Sequence, residues 1–378
     1  MSVYTIMIKN EAVGKIEVVK NVIVRMSLSN WFYTVYINPE AFITDRVDVV
    51  SRRNILDMCK YNGMYTLEDY INITKCISVT DSIWINKDKE PTTWDKVNAY
   101  NNRISNVLAD SAINGIQYLY GKQIKSPSPQ YRLSGSVDKC IKRVSGKQGL
   151  YLYKSNGTIE VEPSFVRPYS EYFANQVAQQ LGINNIVKYD IKETVADNGY
   201  IKPYCICKIF TNENIALVDY GDSIFKDKSL TELAKYFIDK GMKDSAKTIL
   251  DMLILDSFTL NNDRHPYNSG LLLDNNTGNI IGVAPIFDND CSLGALDSVR
   301  GYSKEEIYNK VISRQPKSEL GDYDEQLIRS LYPTMQNKIK SLEYITINRG
   351  KALGISEERL EAIRYIVNRR LKEIQELI

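Results

Sequence analysis

The sequence predicts an α+β fold in which strand-rich segments come first and helices come last. Residues 1–50 and 131–210 contain runs of β-branched and aromatic residues separated by turns rich in glycine and asparagine, the pattern of strands and hairpins. From Ser229 onward, apolar residues recur at the spacing of one helix face. A Ser-Pro-Ser-Pro run at 126–129 favours extended backbone and marks a boundary between an N-terminal part and the rest.

The composition is that of an ordinary globular protein. The chain has 378 residues, enough for two or three domains, with 43% hydrophobic and 25% charged residues. The 48 basic and 46 acidic residues give a formal charge of +2, which leaves no direct signature of nucleic-acid binding. No apolar run is long enough to cross a bilayer, and the N-terminus lacks a signal-peptide pattern. We therefore expect a cytoplasmic protein with no membrane contact.

The cysteines and the single histidine exclude several kinds of site. Six cysteines are scattered, and only Cys205 and Cys207 lie close together, as a Cys-x-Cys pair. Without a CxxC pair, a structural zinc site is not expected, and buried free thiols are the simpler interpretation. A Ser-His-Asp or Cys-His hydrolase would have to use His265, the one histidine, as its base.

Residues 1–125 are predicted to form a mixed α+β module, in which we find no pattern that carries chemistry. The predicted strands cover 3–8, 15–19, 31–37 and 77–85, and the predicted helices cover 51–58, 66–73 and 93–108. The helix at 66–73 opens with Thr66-x-x-Asp69, which is typical of a helix start.

After the Ser-Pro-Ser-Pro boundary at 126–129, a Ser134-Gly135-Ser136 turn lies between two predicted strands. Glycine permits positive φ and close backbone approach, so such a turn can place N–H groups against phosphate oxygens. Lys139 can reach the same phosphates. The spacing does not match the Walker A pattern.

A lysine near the end of a strand and a glutamate at the start of a helix follow. Lys154 lies in a predicted strand that Asn156-Gly157, a strong hairpin turn, joins to a returning strand at 158–161. Glu171 opens a predicted helix over 171–181. Further predicted strands cover 186–195 and 200–210, and predicted helices cover 229–241, 243–260 and 356–378, with another that begins at Ser303.

A polar loop at 262–268 contains Asp263 and Asn268, and a predicted hairpin over 271–287 follows it. Because the two arms are similar in length, Asp288 is expected to return beside Asn268. An amide oxygen and a carboxylate suit Mg²⁺, which takes one or two protein ligands plus substrate phosphates. Asp263 would then be available to orient a hydroxyl nucleophile, as in protein-kinase catalysis.

The Asp-Arg-His-Pro-Tyr-Asn loop and the Ala-Pro-Ile-Phe-Asp run at 284–288 resemble the HipA-like bacterial serine/threonine protein kinases. The resemblance covers about residues 126 to 300. It implies a two-lobed protein-kinase-like fold, with a β-rich N-lobe at 126–211 and a helical C-lobe at 212–378. Residues 1–125 form an appended mixed module in this interpretation.

The resemblance also implies a site that uses ATP and Mg²⁺. Asp263 is the expected base, His265 organises its loop, and Asn268 and Asp288 bind the metal. The nucleotide-binding residues implied are Ser134, Gly135, Ser136 and Lys139 of the phosphate loop, the pair Lys154 and Glu171, and a hinge near Lys208 and Phe210 that binds adenine through its backbone.

Three residues depart from the family pattern. Asp290 stands where a glycine is common, and its charge either joins the metal site or faces solvent. Tyr267 occupies a position that is lysine in some members. Arg132 stands where the best-known toxins carry an autophosphorylated serine, so control through that residue is not expected.

The sequence therefore predicts an ATP- and Mg²⁺-dependent kinase that phosphorylates serine or threonine hydroxyls of a protein whose identity the sequence does not reveal. A lipid or small-molecule kinase and an adenylyl transferase use the same parts of this fold. A pseudokinase that acts as a binding module is a further alternative, against which the intact set of site residues argues. Several members of the family are toxins paired with a DNA-binding antitoxin, so such a regulator is a possible partner.

Overall fold

The computed structural model describes residues 1–156, 166–196 and 198–378. It confirms the predicted mixed α+β class: the strands of three antiparallel sheets lie before residue 284, and the helices α10 to α13 follow them. No helix in the described ranges is long and apolar enough to cross a membrane.

The described strands fall into three antiparallel sheets. They are β1 Ser2–Ile8, β2 Glu11–Val19, β3 Val22–Leu28, β4 Ile83–Lys87, β5 Asp138–Lys142, β6 Tyr151–Ser155, β7 Asp190–Val195, β8 Ile201–Lys208, β9 Ile215–Asp219, β10 Gly270–Asp274 and β11 Ile280–Val283. Their order is β3-β2-β1-β4 in the first sheet, β5-β6-β8-β7 in the second and β11-β10-β9 in the third.

The described α-helices differ widely in length. They are α1 Asn30–Tyr33, α2 Pro39–Val47, α3 Arg53–Tyr61, α4 Leu67–Thr74, α5 Trp94–Val97, α6 Asn106–Asn114, α7 Arg167–Leu181, α8 Leu230–Asp239, α9 Lys243–Thr259, α10 Lys304–Ile312, α11 Tyr323–Ser330, α12 Pro333–Lys340 and α13 Glu357–Leu377.

Several sequence predictions for the N-terminal module were wrong. The run at 31–37 is helix α1 and a following turn, because this conformation buries Phe32, Val35 and Tyr36 in the module's core; packing overrides strand propensity. Strand β3 was missed because the turn before it uses Lys20 and Asn21 at positive φ, a turn that sequence usually marks with glycine. The helix predicted at 93–108 is two helices, α5 and α6, and only Ile83–Lys87 of the strand predicted at 77–85 is a strand.

The helix starts that the sequence predicted from capping residues were confirmed. Thr66 and Asp69 form a reciprocal capping box at the start of α4. Ser229 does the same with Glu232 at the start of α8, and Ser303 with Glu306 at the start of α10. Each box satisfies backbone N–H groups that the first helical turn leaves without partners.

The second sheet and helix α7 carry the predicted lysine and glutamate. Lys154 lies in β6, opposite Lys139 of β5. Helix α7 buries Phe173, Val177 and Leu181 on one face, and it ends at Gly182, whose φ is 76°. The segment before the Ser134-Gly135-Ser136 turn is a 3₁₀ helix, Pro129–Arg132, and not the predicted strand, because Pro129 fixes φ at its first position. The Asn156-Gly157 turn, the strand predicted at 158–161 and Asp197 lie wholly or partly outside the described residues.

The third sheet positions the polar loop. Strand β10 pairs with β11, with Leu271 opposite Val283, as the predicted hairpin requires. It also pairs with β9, a strand that was not predicted. Helix α9 is buried along most of its length and ends at Leu260, which leads into the loop at 262–268.

The N-terminal module shares its hydrophobic core with the second and third sheets. The buried cluster that contains the first sheet also contains Cys140 of β5, Ala216 and Val218 of β9, and Leu273 of β10. Hydrogen bonds reinforce the contact: the Leu217 N–H donates to the Thr80 carbonyl at 2.7 Å. The module is thus packed against the rest of the chain through apolar side chains and backbone bonds.

Candidate active site

A cavity of about 470 Å³ lies between the second and third sheets and holds most of the predicted site residues. This volume is within the range of small-ligand sites in proteins. Apolar side chains in its lining are Ile141, Leu152, Val187, Ile209, Phe210, Leu217 and Phe287. Polar side chains in its lining include Lys139, Lys154, Asp263, Asn268 and Asp288.

The buried ammonium of Lys154 joins three carboxylates. Its Nζ lies 2.7 Å from Glu171 Oε1 and 3.6 Å from Asp290 Oδ2, and it donates to Asp288. Burial alone would lower the pKa of Lys154, but Asp288 and Glu171 raise it well above its ordinary value. The lysine therefore stays charged in a place where water is excluded.

Glu171 connects α7 to the segment that carries Asp288. Its second oxygen, Oε2, accepts the backbone N–H of Asn289 at 2.8 Å, and its side chain is fully buried. Asp288 has a φ of 59°, which is uncommon for a residue other than glycine. Burial opposes its charge, yet Lys154 and Lys139 hold the pKa of Asp288 well below its usual range.

The guanidinium of Arg264 fixes the polar loop to the end of the hairpin. Nε and one N–H group of Nη2 bind the two oxygens of Asp256 in α9, at 2.8 and 3.0 Å. Nη1 donates to the carbonyls of Asn268 and, at 2.7 Å, Phe287. Nη2 also donates to Asn289 Oδ1 at 2.9 Å. All five donors of this buried arginine are used, so the loop and the segment at 287–289 are held as one unit.

Asp263 lies at the mouth of the cavity, and its carbonyl accepts the Nδ2 of Asn268 at 2.8 Å. This bond leaves Oδ1 of Asn268 to act as a ligand atom. His265 accepts the backbone N–H of Tyr267 at Nδ1, at 3.2 Å, and so organises the turn at Pro266–Asn268. Its Nε2 lies 3.9 Å from Asp263 Oδ2.

Asp290 does not face solvent. It is 4% exposed, and Arg167 at the start of α7 donates to its Oδ1 at 2.7 Å. The carboxylates of Glu171, Asp288 and Asp290 each offer an oxygen within 4.8 Å of the others, a cluster found among the described residues. Arg167 and Lys154 offset two of these three negative charges, so one net negative charge is left before any metal binds.

Tyr267 and Arg132, the other two residues that depart from the pattern of the family that the sequence resembles, each make defined contacts. The ring of Tyr267 packs on Gly221, where an added Cβ would lie 2.8 Å from the ring carbon Cζ. Arg132 donates to the carbonyls of Asp45 and Asp48 at 2.7 and 2.9 Å, so it caps the end of α2.

The predicted phosphate loop borders the cavity. Ser134, Gly135 and Ser136 line it, and Gly135 has a φ of 91°. The Nζ of Lys139 lies over this glycine, where an added Cβ would be 2.9 Å away. Burial, together with Lys154, lowers the pKa of Lys139 to about 8. A phosphate group bound here would stabilise the charged ammonium form of Lys139.

The predicted hinge lies on the cavity wall. Lys208 and Phe210 line the cavity, and the ring of Phe210 lies 6.1 Å from that of Phe287, measured between centroids. The backbone N–H of Ile209 donates to the Leu150 carbonyl at 2.8 Å, so this group is already used within the protein.

The donor set fits Mg²⁺. Asn268 Oδ1 and the carboxylate of Asp288 are hard oxygen ligands on the wall of one cavity, and the Asp288 side chain is 28% exposed. The nearby phosphate loop leaves space for the phosphate oxygens that complete the coordination of this ion in nucleotide sites.

Sequence reasoning missed the residues that hold the site together. The role of Arg264 is not evident from the loop motif, because an arginine in a polar loop normally faces solvent. A signal existed in Asp256, which interrupts an apolar run in α9 and, being buried, requires a partner. Arg167 and Asn289 were also missed, as was the contribution of Ser78, Val79 and Thr80 of the N-terminal module to the cavity wall.

Comparison with known proteins gives distant structural similarities. No protein-family model matches the chain, and no curated protein matches it. The chain is similar to Helicobacter pylori proinflammatory kinase CtkA, with 20% identity and a TM-score of 0.44, over 65% of this chain and 91% of that one. It is similar to HipA of Shewanella oneidensis MR-1, solved in a toxin–antitoxin complex with HipB and operator DNA, with 12% identity and a TM-score of 0.49 over 99% of both chains. A hydra Fam20 structure with sugar gives 13% identity and a TM-score of 0.37, over 65% of this chain and 82% of that one.

Proposed function

We propose that this chain is a kinase of protein-kinase-like fold that uses ATP and Mg²⁺ to phosphorylate serine or threonine hydroxyls of a protein. One observation carries the proposal. A single buried arginine, Arg264, ties the loop of Asp263 and Asn268 to the segment of Asp288, on a cavity also lined by Lys154, which pairs with the buried Glu171. This is the set of parts that phosphoryl transfer requires.

The nucleotide is proposed to bind along the length of the cavity. Its base packs against apolar side chains such as Phe210 and Phe287, and its phosphates meet Lys139 and Lys154. Glu171 keeps Lys154 oriented, because the glutamate is itself anchored by the Asn289 N–H at 2.8 Å. Binding a polyanion also releases Lys154 from part of its contact with Asp288.

Phosphoryl transfer is proposed to use Asp263, Asn268 and Asp288. Asn268 and Asp288 hold Mg²⁺, which neutralises phosphate oxygens when it is bound. Asp263, at the mouth of the cavity, orients the acceptor hydroxyl and takes its proton as the new O–P bond forms. The contact of Arg264 with both segments keeps base and metal ligands in register during this step.

Thermal-shift titration with ATP, with and without Mg²⁺, tests nucleotide binding, because a ligand of the native state raises apparent stability. We expect a larger shift with Mg²⁺. Incubation with ATP labelled at either the α- or the γ-phosphate then tests the reaction class. Label transfer from the γ-position only supports a kinase, transfer from the α-position would identify an adenylyl transferase, and no transfer with intact binding would identify a pseudokinase.

Acid hydrolysis of the labelled product tests the acceptor class. Phosphoserine or phosphothreonine is the expected result, whereas label extracted with lipid or with small molecules would replace the protein acceptor. The serine/threonine class follows from the resemblance of the loops at 263–268 and 284–288. A protein partner, including a DNA-binding regulator, stays a prediction.

A further inference from the structure

An exposed lysine from a distant segment contacts the proposed base. Lys317 Nζ lies 2.5 Å from Asp263 Oδ1, although the two residues are 54 positions apart in sequence. The lysine side chain is 59% exposed, and the aspartate side chain is 24% exposed. An isolated surface pair of this kind contributes little to stability. Stabilisation of the fold therefore does not explain why a lysine lies beside the proposed base.

The backbone that carries Lys317 is anchored to the helix that leads into the polar loop. Ser318 is buried and donates to Gln326 Oε1. The other end of the Gln326 amide donates to Leu253 O at 2.8 Å and to Ser257 Oγ at 3.1 Å, both in α9. Lys317 and Asp263 are thus positioned by the same helix, which holds the lysine near the base before substrate arrives.

Three of the cations closer to the core have their charges engaged, whereas Lys139 lies at the phosphate loop. Arg264 uses all five N–H groups within the protein. Lys154 is surrounded by carboxylates, and Arg167 is paired with Asp290. Lys317 is paired too, but its partner is the base itself, and its exposure leaves the remaining ammonium N–H groups free to meet an incoming anion.

We propose that Lys317 is a further catalytic residue, whose ammonium contacts the phosphoryl group during its transfer beside Asp263. In that step the bond from the γ-phosphorus to the β,γ-bridging oxygen breaks, and ADP keeps the electron pair. The acceptor oxygen forms the new bond to phosphorus and gives its proton to Asp263. Lys317 exchanges no proton; it stabilises negative charge on the phosphoryl oxygens. The inference rests on the proposed kinase function.

The test compares Lys317→Met and Lys317→Arg with wild type and with Lys310→Met. Lys310 is a matched control because it is also exposed and pairs with an aspartate, Asp297, at 3.2 Å. We expect Lys317→Met to lower kcat by about 10²-fold, the usual effect of losing one donor to transition-state charge. KM for ATP and the ATP-induced thermal shift are expected to change by less than about twofold, and Lys317→Arg to recover most of kcat.

The outcomes separate the two proposals. Absence of γ-phosphate transfer by the wild-type chain to any acceptor would refute the kinase function, and this inference with it. Transfer by wild type with an unchanged kcat in Lys317→Met would leave the kinase function standing and overturn the role of Lys317. An increased kcat in that variant would also overturn it, since it would show that the lysine only blocks the base.

Discussion

Glu171 Oε1 lies 2.7 Å from Lys154 Nζ, and both side chains are closed to water, with 0% and 5% exposure. The pair lies within a larger cluster, because Asp288 and Asp290 also contact the lysine. With Arg167 included, two positive groups therefore face three negative groups at this point, which leaves one net negative charge. Removing one charge has consequences for both folding and binding.

We expect Lys154→Met to lower the free energy of unfolding by about 3–5 kcal/mol, since it leaves buried carboxylates without their partner. Glu171→Gln on the same background is expected to recover part of this loss, and urea denaturation of the two single variants and the double variant measures the coupling. Lys304→Met is the control, because its ion pair with Glu361, at 3.1 Å, is exposed and is expected to contribute little. Additive effects of the two buried substitutions would contradict the coupling.

The Asp263→Asn variant distinguishes the role of the proposed base from the role of the proposed metal ligands. The variant is expected to bind Mg-ATP nearly as well as wild type while losing phosphoryl transfer by about 10²–10⁴-fold, because a base acts on the chemical step. Asn268→Ala and Asp288→Ala are expected to damage both binding and transfer. A fully active Asp263→Asn variant would show that this residue only caps the loop.

Arg264→Lys tests the unit formed by the loop and the hairpin end. Lysine offers three donors on one atom and cannot reproduce a planar fork, so at least two of the five bonds are lost. We expect lower stability and, at a temperature where the variant is folded, loss of the Mg²⁺ effect on ATP binding. Arg370→Lys is the matched control: it is equally buried, with bonds to Ser257 O at 2.9 Å and to Asp324, away from the cavity. Equal loss of the Mg²⁺ effect in both variants would refute a specific role.

ATP binding is expected to depend on pH because of the buried ammonium group of Lys139. Its pKa of about 8 in the free protein is lowered by burial and by Lys154. Phosphates favour the ammonium form, so binding above pH 8 takes up a proton and affinity falls as pH rises. Calorimetry at pH 8.5 in two buffers with different ionisation enthalpies measures this uptake. Lys139→Met is expected to abolish it, and equal uptake in the variant would assign the proton to another group.

The buried carboxyl group of Asp219 is expected to make the stability of the fold depend on pH. Burial, Asp222 and Asp288 raise its pKa to about 7. Between about pH 4 and pH 7 the folded state holds a proton that the unfolded state has released, so stability from this group falls as pH rises and is lowest above pH 7. Asp219→Asn is expected to raise the free energy of unfolding by roughly 1–2 kcal/mol at pH 8 and to change it little near pH 4. Chemical denaturation at both pH values measures this, and equal effects at the two values would argue against titration.

Local features were predicted well from the sequence, whereas contacts between distant segments were predicted poorly. Turn chemistry and spacing were enough to predict the hairpin after the polar loop, because register and capping are short-range properties. The contact of Lys317 with Asp263 could not be predicted, since it depends on how α9 packs against a segment far along the chain. Strand β9 was missed because its pairing with β10 is fixed by packing against the N-terminal module and not by a local turn.

The shared core has a practical consequence for anyone who wants a smaller catalytic fragment. The Ser-Pro-Ser-Pro run at 126–129 is an obvious cloning boundary, but Ala216, Val218 and Leu273 lie in the same buried cluster as the first sheet. Deleting residues 1–125 would expose this apolar surface and would remove the Thr80 carbonyl that accepts the Leu217 N–H at 2.7 Å. We therefore expect the truncated chain to aggregate during expression, and the catalytic part to require its N-terminal module even if that module never touches a substrate.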